Sequence, residues 1–137
     1  MNNRLNDKVS ELVQYLEEFQ SIEIPEFDEY KKDVKAKAAC ERYFEKIIEA
    51  VISAAFIIIK EKNLKSPESE EQAFFILSKN KILSENLAVK LKQAKDMRNI
   101  IIHNYENVED EIVYDSITRE IKADAEEFLT QIKKSLK

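Results

Sequence analysis

Leu5, Val9, Leu12, Leu16 and Phe19 recur at alternating steps of four and three, which puts one apolar face on a helix running roughly from Asn3 to Gln20. Pro25 ends that helix, and Ile22, Ile24 and Phe27 around the break are placed to pack as the chain turns. The pattern then predicts one long helix from about Asp28, its cap, to Asn63. Its first half is charged (Lys31, Lys32, Lys35, Lys37, Glu41, Arg42). Its second half, Ile47, Ile48, Val51, Ile52, Ala54, Ala55, Ile58 and Ile59, is apolar nearly all round, as expected of a central helix. Ser66-Pro67 opens a turn, and Ser69 with Gln72 three residues on forms a capping box for a short third helix, about Ser69 to Ser78. Ser84 caps a fourth helix with Leu87, Leu91, Ala94, Met97 and Ile101 on its inner face. After the polar link Glu106-Asn107-Val108, a fifth helix from about Asp110 carries Ile112, Ile117, Ile121, Phe128 and Ile132.

The expected fold is all-α, an antiparallel bundle of about five helices in one domain spanning residues 1–137. Composition agrees. The chain has no glycine, which hairpin-rich sheets need at turns of positive φ, and its mix of 44% hydrophobic and 36% charged residues suits amphipathic helices. The most apolar stretch, Ile47 to Ile59, contains Glu49 and is shorter than the ~20 residues a membrane span needs. Met1-Asn2-Asn3-Arg4 is not followed by an apolar core like that of a signal peptide, so none is expected. Cys40 is the only cysteine, so it reads as a small buried helix residue in a reducing compartment. A soluble cytoplasmic protein without a membrane partner is expected.

The net charge of −5 argues against broad nucleic-acid binding. Its distribution is uneven, however. Between Lys79 and Arg98 six basic residues stand against Glu85 and Asp96, which offers a focused basic approach to the end of the fourth helix.

The only histidine lies there, in Arg98-Asn99-Ile100-Ile101-Ile102-His103-Asn104-Tyr105. An arginine is permanently cationic and suited to a phosphate, a histidine titrates near neutrality and moves protons, and the Tyr105 hydroxyl can hydrogen-bond or be modified. On a regular helix Tyr105 falls about 20° from Arg98, while His103 falls about 140° from Arg98 and about 40° from Asn99. Asn99 is thus placed to orient the imidazole or contact the same ligand. No metal-binding spacing, glycine-rich phosphate cradle or nucleophile elbow accompanies the motif, so neither metal nor cofactor is expected. Phosphodiester cleavage without a metal favours RNA over DNA, because RNA supplies its own 2′-hydroxyl nucleophile. Such cleavage needs both a base and an acid, and a symmetric dimer would supply them from two copies of His103. The bland alternative is a histidine capping helix carbonyls and an arginine paired with Asp96 or the acidic C-terminal segment.

The same run resembles the signature of the HEPN superfamily of RNases, in its HepT toxin branch. The likeness extends to the long apolar helix, the Ser66-Pro67-Glu68-Ser69 turn with Ala73-Phe74-x-Ile76-Leu77, and Val108, Asp110 and Val113-Tyr114. It implies a HEPN-type bundle and a homodimer whose two motifs line a shared cleft. It also implies metal-independent RNA cleavage by Arg98 and His103, with Asn99 in support. The implied partner is a minimal nucleotidyltransferase antitoxin that attaches AMP to Tyr105. The competing reading is a non-catalytic module that binds nucleotide or such a nucleotidyltransferase through the same residues. A purely structural role instead predicts Arg98 and His103 buried and paired within one subunit.

Overall fold

A computed structural model describes residues 2–103 and 110–136. The described elements are α1 (Asn3–Gln20), α2 (Phe27–Tyr30), α3 (Val34–Glu61), α4 (Glu70–Lys79), α5 (Glu85–Ile102), α6 (Asp110–Asp115), a π-helical turn (Ser116–Glu120) and α7 (Ile121–Ser135). They form the all-α bundle expected from the sequence. No helix among the described residues is long and apolar enough to cross a membrane.

The long helix does not begin at Asp28. Tyr30 is buried against Tyr114, ring centroids 4.7 Å apart, and Phe27 meets the same ring at 5.4 Å. The Tyr114 hydroxyl donates to the Pro25 carbonyl at 2.7 Å. Docking these rings folds residues 27–30 into a separate turn, and the chain restarts at Asp33, whose carboxylate accepts from Ala36 N at 3.0 Å. Asp28 sits inside α2 and pairs with Lys31 rather than capping a helix.

α3 is the centre. Phe44, Ile47, Ile48, Val51, Ala55 and Ile58 are fully buried and face all its neighbours. Each large apolar side chain so buried contributes about 1.5–3 kcal/mol relative to exposure. Leu5, Leu12 and Phe19 of α1, Phe74 and Leu77 of α4, Leu87 and Leu91 of α5 and Phe128 of α7 close the core. Cys40 is part of it, and burial pushes its thiol up to about 11, a packing residue and not a nucleophile.

Three observations fix the topology. Phe19 near the end of α1 stacks on Tyr43 near the start of α3. Glu70 at the start of α4 reaches Arg98 near the end of α5. Ser84 and Lys90 at the start of α5 meet Gln131 and Glu127 toward the end of α7. Neighbours therefore run antiparallel, and one end of the bundle gathers the start of α1, the end of α3, the start of α4 and the end of α5. Without glycine, the two left-handed positions among the described residues fall on Asn63 (φ 55°) and Lys81 (φ 61°), where helices end.

The last helix departs from its expected inner face. Val113, Ile117, Ile121 and Ala125 are buried at steps of four, which would drift about 40° per step around a regular helix. The wider π turn absorbs that drift, and Thr118 inside it donates to the Tyr114 carbonyl at 2.6 Å. Val113 therefore takes the inward position and Ile112 is 51% exposed.

Asp124 is buried on α7, and burial pushes its carboxyl up to about 6 despite Lys90 nearby. A raised acid binds its proton more tightly in the folded state, so this group's contribution to stability is fully present below about pH 4 and is lost as pH rises through 6. Asp124→Asn is expected to stabilise the protein by about 1–2 kcal/mol at pH 7.5 and by nothing near pH 4. Thermal unfolding at the two pH values measures the difference.

Candidate active site

Arg98 lies on the inner side of α5 and is only 9% exposed. Its Nη2 donates to Glu70 Oε1 at 2.5 Å and to Asn99 Oδ1 at 3.0 Å, and Nη1 donates to Glu70 Oε2 at 3.4 Å. The Nε–H is buried and has no hydrogen-bond acceptor among the described residues. This two-pronged carboxylate contact is the geometry guanidinium favours, and it holds the side chain in one place.

Glu70 is the partner that sequence spacing did not reveal. It stands 28 residues before Arg98, and only the antiparallel pairing of α4 and α5 brings the two together. Its local signal, an acid in the first turn after the Ser69 cap, reads equally well as a favourable charge at a helix N-terminus. Asp96, the carboxylate suggested by proximity, instead takes Lys92 at 2.9 Å and Lys95 at 2.8 Å.

Asn99 is tied to Arg98 through its side-chain amide oxygen. Its backbone carbonyl accepts from the His103 N–H at 3.1 Å. α5 ends at Ile102, so His103 is its C-cap, with an exposed side chain. The structural reading is thus half met: Arg98 is buried and paired, whereas His103 is exposed and has no side-chain partner among the described residues. Tyr105 lies outside the described residues, and with it the expectation that it shares a face with Arg98.

The basic approach expected along residues 79–98 is mostly neutralised. Lys90 pairs with Glu127, Lys92 with Asp96, and Lys95 with Glu71 and Asp96. Lys79 and Lys81 lie at the opposite end of the bundle from Arg98. Among the described residues no three metal-ligating side chains converge.

What remains at this end of α5 is a rigidly held guanidinium and an exposed imidazole five positions further along. One can neutralise a phosphate and the other can carry a proton. The sequence matches the family described as Ribonuclease HepT-like over residues 12–132. The chain belongs to the HepT-like family. It is 24% identical to the mRNA nuclease HepT of Shewanella oneidensis over 133 residues, which cover 97% of this chain and 98% of that protein. Solved structures share the fold. A tri-AMPylated Shewanella oneidensis HEPN toxin in complex with MNT antitoxin superposes with a TM-score of 0.86 at 24% identity, over 98% of this chain and 99% of that one. YutE from Bacillus subtilis, a cytosolic protein of unknown function, superposes with a TM-score of 0.79 at 17% identity, over 97% and 88% of the two chains.

Proposed function

We propose that this protein is a metal-independent endoribonuclease toxin that works as a homodimer and is silenced by AMP transfer to Tyr105 from a minimal nucleotidyltransferase antitoxin. The observation that carries the reading is the Arg98–His103 pair at the exposed end of α5 in a HepT-like chain. Arg98 neutralises the scissile phosphate as charge builds on it. A base takes the proton of the RNA 2′-hydroxyl, whose oxygen attacks phosphorus, while an acid gives a proton to the departing 5′-oxygen. The products are a 2′,3′-cyclic phosphate and a free 5′-hydroxyl. With one histidine per chain, the two proton transfers fall to the His103 side chains of both subunits.

The dimer is supported by apolar exposure beside the motif. Ile102 is 53% exposed immediately before His103, and an isologous contact would cover it. The protein is expected to run as a dimer in light scattering at micromolar concentration, and a monomer there would remove the shared cleft. The buried Arg98–Glu70 pair is what a purely structural role predicts, since a phosphate must compete with Glu70 for the guanidinium. Glu70 keeps 38% of its side chain exposed, which leaves it room to give way. Expression in a bacterial host separates the readings. Wild type should arrest growth with loss of intact mRNA, and His103→Ala should not. Equal growth with both would favour the binding module.

A further inference from the structure

A cavity of about 860 Å³ opens at the same end of the bundle, between the first turns of α1, the last turns of α3 and the link into α4. It is large enough for a nucleotide-sized ligand. Its wall is apolar, with Phe56, Leu64 and Pro67, and Phe56 is 36% exposed, an aromatic ring left facing solvent. Three cations ring it: Arg4, Lys8 and Lys60. Lys8 leans on Glu11 of its own helix at 3.3 Å, whereas Arg4 and Lys60 form no ion pair among the described residues. The contrast with the carboxylate-paired lysines of α5 is direct. Glu70 lines the cavity and grips Arg98, so a single side chain links the groove to the candidate catalytic arginine.

We propose that this groove is a subsite for single-stranded RNA flanking the scissile bond, with one base stacked on Phe56 and neighbouring phosphates on Arg4 and Lys60. The inference rests on the reading of this chain as an RNA-cleaving protein. An aromatic face beside cations is how single strands are held without sequence readout, because every base has a π-face and every nucleotide a phosphate. A cationic groove also gives a protein of net charge −5 a local place to hold a polyanion. The strand leaves the groove past Glu70 and reaches Arg98.

The test is fluorescence anisotropy of a labelled single-stranded 2′-O-methyl oligoribonucleotide, which the proposed chemistry does not cut, titrated over a range of salt. The double variant Arg4→Glu, Lys60→Glu should bind at least tenfold more weakly. Its log–log salt dependence should flatten by about 1.4, the value for two single-strand phosphate contacts. Phe56→Ala should lose about five- to tenfold with its salt slope unchanged. Lys133→Glu, Lys134→Glu applies the same charge change at the far end of the bundle and should cost much less. Groove variants that bind like this control overturn the subsite while leaving RNA cleavage by Arg98 and His103 standing. A Phe56→Ala protein that binds RNA normally but no longer dimerises would make the groove a subunit contact, and also overturns it. Wild type that neither binds nor cuts RNA removes the functional reading itself.

Discussion

His103→Ala is expected to slow RNA cleavage by about 10²–10⁴-fold, the usual loss when one positioned acid–base group is removed, while leaving the fold as stable as before. The structure separates the two effects. His103 caps α5 through its backbone N–H to Asn99 and has an exposed side chain, so alanine keeps the hydrogen bond and empties no core space. Unfolding midpoints should therefore agree within about 0.5 kcal/mol, as for an ordinary surface change. Arg98→Ala should lose activity to a similar degree but also lose stability. It empties a buried site and leaves the Glu70 carboxylate and the Asn99 amide without their partner. A cost of about 1–3 kcal/mol is expected for stranding such groups. Arg98→Lys should rescue poorly, because an ammonium keeps the charge but cannot hold Glu70 and a phosphate through a planar fork. A His103→Ala protein that cleaves as fast as wild type would mean that the activity belongs to another site or a contaminant.

The second large effect concerns silencing. Co-expression with a cognate minimal nucleotidyltransferase should add AMP to Tyr105, read as a mass increase mapped to the peptide containing residues 99–110. Tyr105 lies two residues beyond His103, so an AMP phosphate there brings negative charge and bulk to where RNA must sit. Tyr105→Phe should remain toxic and escape silencing. The other tyrosines are poorer acceptors. Tyr15 and Tyr43 donate to Glu11 and Glu18, and these hydrogen bonds raise their pKa values. Tyr30 is buried and Tyr114 is held by the Pro25 carbonyl. A silenced protein with unmodified Tyr105 would mean control by occlusion instead.

Periodicity was enough to find α1, α4 and α5, and residue type to find the caps of the last two, because Ser69 and Ser84 each accept from a backbone N–H three residues on. It failed where tertiary contacts overrode local pattern. The α2–α3 break depends on Phe27 and Tyr30 docking on Tyr114, more than 80 residues away, and no proline or glycine marks it. The inward turn of Val113 depends on a π turn that spacing alone does not announce. At the candidate site, residue types named Arg98 and His103, but the helix projection assumed a helix running through Tyr105, whereas α5 stops at Ile102. Glu70 and the groove of Arg4, Phe56 and Lys60 were hidden for one reason. Each brings together side chains from helices distant in sequence, and only the antiparallel arrangement puts them at one end of the bundle.

The most direct measurement uses purified wild type in EDTA with two labelled oligonucleotides of one sequence, one RNA and one uniformly 2′-deoxy. Arg98 and His103 acting on the 2′-hydroxyl should cut only the RNA, leave 2′,3′-cyclic phosphate ends, and gain nothing from added magnesium. Cleavage of the 2′-deoxy strand, or activity that appears only when a divalent metal is restored, would contradict that chemistry.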